Sequence, residues 1–203
     1  MQPLSKHRSE EKHRQILQAA MRLFTEQGFE ATSMEQIAQE AKVSKQTIYS
    51  HFGSKDVLFG AALHQKCDQH ALSAEFFVED EAPRTTLLRI AQAFSALITS
   101  PEALAVYRTC LAQVDTYPQI AQRFFELGPN AMIERLARCL DEFHQRGLLH
   151  IPNTRYAATQ FLMLCHGEQR YRAALHIHPL LSPQQHEAYL NTCVDLFLKG
   201  YAI

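Results

Sequence analysis

Two groups of residues in this chain are of types that do chemistry. The first is a set of possible metal ligands, drawn from 11 His and 5 Cys. His64, Cys67 and His70 stand three apart, and neighbours at that spacing share a helix face, so a soft-metal site is conceivable there. The three residues drift around the helix over nearly two turns, which makes convergence on one ion poor. No metal and no cofactor is expected, although these three residues leave the question open. The second group is a run of donors and acceptors: Lys45, Gln46, Thr47, Tyr49, Ser50 and His51, with no carboxylate among them. A helix face with that composition suits a DNA groove, whose walls are phosphate.

The elements that must position this run are legible around it. Thr32 to Phe52, TSMEQIAQEAKVSKQTIYSHF, reads as two short helices and a tight turn. Ser33 with Gln36, or Thr32 with Glu35, forms a capping box for the first. Ile37, Ala38 and Ala41 lie on one side of it. Ser44 caps the second, where Ile48 and Phe52 share a buried face. Upstream, residues 1–8 read as an arm carrying Lys6, His7 and Arg8. Ser9 then caps a helix with an apolar stripe of Ile16, Leu17, Ala20, Leu23 and Phe24. Gly28 ends that helix and Phe29 packs back.

VSKQTIYSHFGSKDVLF closely resembles the recognition segment of the TetR family of bacterial transcriptional regulators. The resemblance runs from Ile16 to Leu63 and rests on Thr47, Tyr49, His51, Phe52, Lys55 and Leu58. It departs at Lys42, where the family often has a turn glycine; a lysine adopts left-handed angles only at some cost. The resemblance implies groove contacts from Lys45, Gln46 and Thr47, and phosphate contacts from Tyr49, His51 and Lys55. Ser50, Thr32 and Ser33 are counted with this DNA-facing set. Lys55 stands in the first turn of its helix, against the dipole preference, which also argues for a phosphate in front of it.

Beyond this segment the chain reads as further helices. One runs from Lys55 to Phe77. Others hold Leu87 to Ile98, then Leu104, Tyr107, Leu111 and Val114 facing inward. A long helix from Pro118 is broken or kinked at Gly128-Pro129 and continues to Gly147. Thr154 to Leu175 and Ser182 to Gly200 close the chain. These last two are apolar on more than one face, so one face needs a partner, and a second copy is the simplest. The resemblance agrees, since such regulators pair through their last two long helices. Phe161, Cys165, Glu168, Tyr189, Cys193, Leu196 and Phe197 are the expected dimer contacts. Phe94, Tyr107, Cys110, Phe124, Met132, Phe161, His166 and Arg170 are the expected lining of a small-molecule pocket, mixed apolar and polar as such pockets are.

Composition sets the outer bounds. The net charge is −1 and hydrophobic residues make up 46%. A chain of this charge is no general nucleic-acid coat, so binding must rest on a local patch. The basic start leads into no hydrophobic stretch, and no apolar run reaches the roughly 20 residues of a membrane span. The expected place is the cytoplasm, with the five scattered cysteines as reduced core residues. No GxSxG, P-loop or HExxH occurs, so an enzyme is not expected. The expected whole is all-α: a helix-turn-helix domain over residues 1–57, and an effector-binding and dimerisation domain over residues 58–203, about nine helices in all. Its expected role is a homodimeric repressor on palindromic operator DNA, released by a small apolar or aromatic effector. The alternatives are a DNA-binding factor without inducer and, more remotely, an α-helical enzyme.

Overall fold

The computed structural model describes the backbone of residues 3–70, 81–179 and 181–202, and side chains from residue 10 onward except those of residues 67–70. Among the described residues every regular element is helical. The order is α1 (Pro3–Gln27), α2 (Met34–Glu40), α3 (Lys45–Phe52), α4 (Lys55–His70), α5 (Pro83–Thr99), α6 (Pro101–Ala112), α7 (Pro118–Phe125), a π-turn (Glu126–Asn130), α8 (Ala131–Gln145), α9 (Thr154–Ala174) and α10 (Pro183–Gly200). Taking α7, the π-turn and α8 as one interrupted helix gives nine among the described residues. Pro129 sits inside the π-turn. Proline donates no hydrogen bond and crowds the carbonyl four residues back, and the wider turn accommodates both defects without ending the helix.

The helix starts and stops follow local chemistry. Ser33, not Thr32, closes the capping box with Gln36. Ser44 caps α3 by accepting from the Thr47 amide, and Gly53 ends it at φ 73°. Gly28 ends α1 at φ 86°, and Lys42 adopts φ 53° in the turn between α2 and α3. One expectation at the chain start is corrected. Pro3–Gln27 is a single helix, so residues 3–8 are not an extended arm and Ser9 is no cap. Lys, Arg, Glu and Gln are good helix formers and proline is tolerated in a first turn, so nothing there interrupts the helix.

The chain divides into two compact units, Met1–His70 with Ala105–Leu127, and Ala71–Leu104 with Gly128–Ile203. This division differs from the boundary expected after residue 57, and the first core shows why. Leu58 and Phe59 of α4 are fully buried in it beside Ile16, Phe24, Ile37 and Ile48. The rings of Phe24, Phe29 and Phe59 meet at 5.1–5.6 Å, and Tyr117 closes on Phe29 at 5.0 Å. Burying such a side chain contributes roughly 1.5–3 kcal/mol, so α4 is part of what holds this unit together. Val106, Cys110 and Ile120 join the same core, and the Thr109 hydroxyl donates to the Phe24 carbonyl at 3.3 Å. Leu111 and Val114, expected to face inward, are exposed.

The second unit packs α5, α8, α9 and α10 around Leu87, Ile90, Leu136, Leu140, Phe161 and Val194. Arg84 of α5 reaches Asp195 at 2.9 Å and Asn191 at 3.0 Å on α10. Helix α9 is not continuous as expected: Gly167 interrupts it at φ 52°, ψ −173°. The hydroxyl of Tyr189 donates to the Leu164 carbonyl at 2.7 Å beside this kink. Cys110, Cys139, Cys165 and Cys193 are buried thiols. Burial pushes the Cys139 and Cys165 thiols up to about 12, so both are inert at neutral pH. The expected far end of α4, near Phe76 and Phe77, lies outside the described residues.

Candidate nucleic-acid interface

Helix α3 presents the expected polar face. Ile48 is fully buried and Phe52 nearly so, while Lys45, Gln46, Tyr49, Ser50 and His51 are exposed. Thr47 is half-buried, its hydroxyl 2.7 Å from that of Ser44. The Ser50 hydroxyl donates back to the Thr47 carbonyl at 2.8 Å. Helix α2 lies against α3, and the Lys45 ammonium meets the Glu35 carboxylate. That hydrogen bond raises the Lys45 pKa above its ordinary value. The pair is exposed, so a phosphate can replace Glu35 at little cost.

Two residues of the expected DNA-facing set point elsewhere. Thr32 is buried, and its hydroxyl donates to the carbonyls of Gly28 at 2.7 Å and Leu23 at 3.2 Å. Lys55 turns inward. Its ammonium donates to the carbonyls of Phe29 at 2.9 Å, Thr32 at 3.3 Å and Glu30 at 3.4 Å, and lies 4.4 Å from the centre of the Phe29 ring. The α1–α2 connection leaves these carbonyls without helical partners, and the cation satisfies them. The same need explains a lysine in the first turn of α4 without a phosphate. Ser33 stays exposed, occupied as the cap of α2: its hydroxyl accepts from the Gln36 amide at 3.1 Å, and its own amide donates to Gln36 at 2.7 Å.

The sequence reading passes over His13. Its ring stacks on Phe52 at 4.9 Å and meets His51 edge-on at 5.9 Å. Burial first, and the neighbouring His51 second, hold its imidazole below the usual histidine range. Glu10, His13, Arg14, His51 and Gln65 line a cavity of about 360 Å³ between α1, α3 and α4. The one sequence signal for it is the helical phase of His13, a turn before the apolar stripe that begins at Ile16.

The expected pocket residues fall in both units. Tyr107, Cys110 and Phe124 belong to the first, where Tyr107 and Phe124 approach at 6.1 Å. Phe94, Met132 and Phe161 are packed in the core of the second. His166 is half-buried there, and burial, then the nearby Arg170, lowers its pKa. Arg170 itself is buried. The expected dimer contacts also divide. Phe161, Cys165, Cys193 and Phe197 are spent on the unit's own core, with Phe161 and Phe197 edge to face at 5.0 Å. Tyr189 is engaged by Leu164, while Glu168 and Leu196 stay exposed. An open apolar groove of about 480 Å³ runs along α9 and α10, bounded by Gln160, Met163, Leu164, Leu196, Phe197 and Tyr201. Tyr156, Tyr171 and Leu175 extend the exposed apolar surface of α9 and the turn that follows it. Of the possible metal ligands on α4, His64 is exposed and the side chains of Cys67 and His70 lie outside the described residues. Among the described residues no three ligating side chains gather, and no helix is long and apolar enough to cross a membrane.

Comparison with known proteins bears on both units. Residues 16–62 match the family model of bacterial regulatory proteins of the tetR family, and residues 85–203 match that of the AefR-like transcriptional repressor C-terminal domain. A TetR-family regulator from Mesorhizobium loti superposes with a TM-score of 0.87 at 28% identity, over 97% of this chain and 99% of that one. The flavonoid-responsive regulator FrrA gives 0.80 at 30% identity, over 94% and 97%. The HTH-type transcriptional repressor Rv3405c of Mycobacterium tuberculosis is 38% identical over 111 residues, 54% of this chain and 51% of that protein. The chain spans about half the length, or less, of the curated relatives it matches.

Proposed function

Because this chain belongs to the TetR family of bacterial regulatory proteins, we infer that it is a repressor that binds operator DNA as a homodimer and lets go when a small apolar or aromatic effector binds. The observation that carries this reading is α3: an exposed, carboxylate-free face on a helix anchored from behind by Ile48 and Phe52. Lys45, Gln46 and Thr47 at its N-terminal end enter the major groove, and Tyr49 and His51 take backbone phosphates. Thr32 and Lys55 drop out of the DNA-facing set, since both are committed to carbonyls of their own chain. Selection from randomised duplexes by the full chain tests the reading. A palindromic or near-palindromic site is expected, with base preference altered in Gln46→Ala. Recovery of no preferred duplex would sink it.

The dimer reading moves from the buried residues to the groove. Met163, Leu164 and Leu196, with Gln160 and Tyr201 at its edge, are the surface offered to a second copy. Leu196→Glu places a charge there without disturbing the core. It should sediment as a folded monomer and bind the operator far more weakly, whereas a charge at Phe197 should unfold the unit instead. An L196E dimer of unchanged stability would place the contact elsewhere.

The effector part of the reading draws on the match of residues 85–203 to a repressor C-terminal domain and on the likeness to a flavonoid-responsive regulator. Planar aromatic compounds, flavonoids among them, are the first to screen. A true effector weakens operator binding, and operator weakens effector binding by the same factor. Compounds that bind while operator affinity stays constant would favour a regulator without inducer.

A further inference from the structure

We propose that His13 and His51 together form a seat for one operator phosphate, so that the protein takes up protons as it binds DNA. The inference rests on the DNA-binding reading of α3 and deepens it. The two rings stand 5.9 Å apart and open on one cavity. Charge-assisted N–H···O bonds are about 2.7–2.9 Å long, so rings at this separation can both reach oxygens of a single phosphodiester. Phe52 fixes the arrangement, because its buried ring is the floor on which His13 stacks. His13 comes from α1, so it reaches the backbone beside the recognition helix and not the base edges.

The charges around the seat decide the sign. Glu10 and Arg14 face the cavity from α1, His51 from α3, and α4 contributes Gln65, which carries no charge. Arg14 pairs with Glu11 through contacts of 2.7 and 2.8 Å, an exposed pair that a phosphate can open as well. In the free protein, burial and then the neighbouring His51 hold the His13 imidazole below its usual range. A phosphate between the rings favours the charged form of His13. The added affinity is therefore fully present below the free-protein pKa and is lost as pH rises through the higher pKa of the complex. Histidines cover the interval from about pH 5 to 8, where carboxylates and lysines do not change charge.

The test is operator affinity against pH, with the full chain and a duplex selected as above. Wild type should tighten as pH falls from 8 to 6, by up to about tenfold per pH unit for each proton taken up. His13→Phe keeps the stack on Phe52 without a proton, and His13→Gln keeps a hydrogen bond without one. Both should lose one proton's share of the slope. In parallel, NMR titration of wild type should show the His13 ring titrating at higher pH once operator is added. If both variants keep the wild-type pH profile, or if operator leaves the His13 titration in place, the seat is overturned while DNA binding stands. If no duplex binds at any pH, the DNA reading itself fails and the seat with it.

Discussion

Helices α3 and α9 each depend on a glycine with positive φ, but at different places. Gly53 follows the last turn of α3 at φ 73°, and a Cβ built on it would meet nothing within 4 Å. Gly167 lies within α9 at φ 52°, and its Cβ would stand 3.0 Å from the Tyr189 hydroxyl and 3.1 Å from its ring. The first glycine answers only its own backbone: a helix has to stop, and the left-handed angle stops it. The second answers to α10. Beside the kink the Leu164 carbonyl accepts from the Tyr189 phenol at 2.7 Å and from the Cys193 thiol at 3.5 Å, both on α10. A helix built by local rules and one built by tertiary ones sit in the same chain.

Substitutions can break that comparison. Gly167→Ala should cost about 3 kcal/mol, because a nearly glycine-only conformation is then strained and the tyrosine is also displaced. At roughly 2–4 °C per kcal/mol for a chain of this size the loss is plain in a thermal melt. Lys55→Met should cost about 2 kcal/mol by leaving part-buried carbonyls unanswered, while the salt dependence of operator binding keeps its slope. A slope flatter by about one would instead return Lys55 to the phosphate contacts. Gly53→Ala should cost about 1 kcal/mol, a backbone effect alone. If it proves as damaging as Gly167→Ala, the contrast between the two helices is wrong. Lys45→Ala should leave the melt unmoved, since its partner Glu35 is exposed, and should weaken operator binding by removing a groove contact.

Where local rules governed, the sequence was readable. Ser33, Ser44, Gly28 and Gly53 act as caps and stops, and Ile48 and Phe52 anchor α3, all from spacing alone. The polar face of α3 followed, because what is left over on an amphipathic helix must point out. The carbonyl contacts of Lys55 were not legible, because its partners on Phe29, Glu30 and Thr32 are more than 20 residues away and carry no side-chain signature. Thr32 looked like a cap because hydroxyls cap helices, yet its hydroxyl is taken by Gly28. On α9 and α10 periodicity announced two apolar faces without saying which one faces home. The core took Phe161, Cys165, Cys193 and Phe197 and left Met163 and Leu196 outside. The compact units divide elsewhere than after residue 57 for a similar reason: Leu58 and Phe59 are apolar residues whose destination only the packed core reveals.

The bend at Gly167 has a consequence for who can pair with whom. Gln160 and Met163 precede it, Tyr171 and Leu175 follow it, and the exposed stripe changes direction between them. In the proposed dimer a straight helix laid along such a stripe loses contact beyond the bend, and one bent elsewhere loses it sooner. Only a chain that turns at the same point can follow it through. In the proposed dimer the bend would favour a second copy of the chain over a straight or differently bent helix.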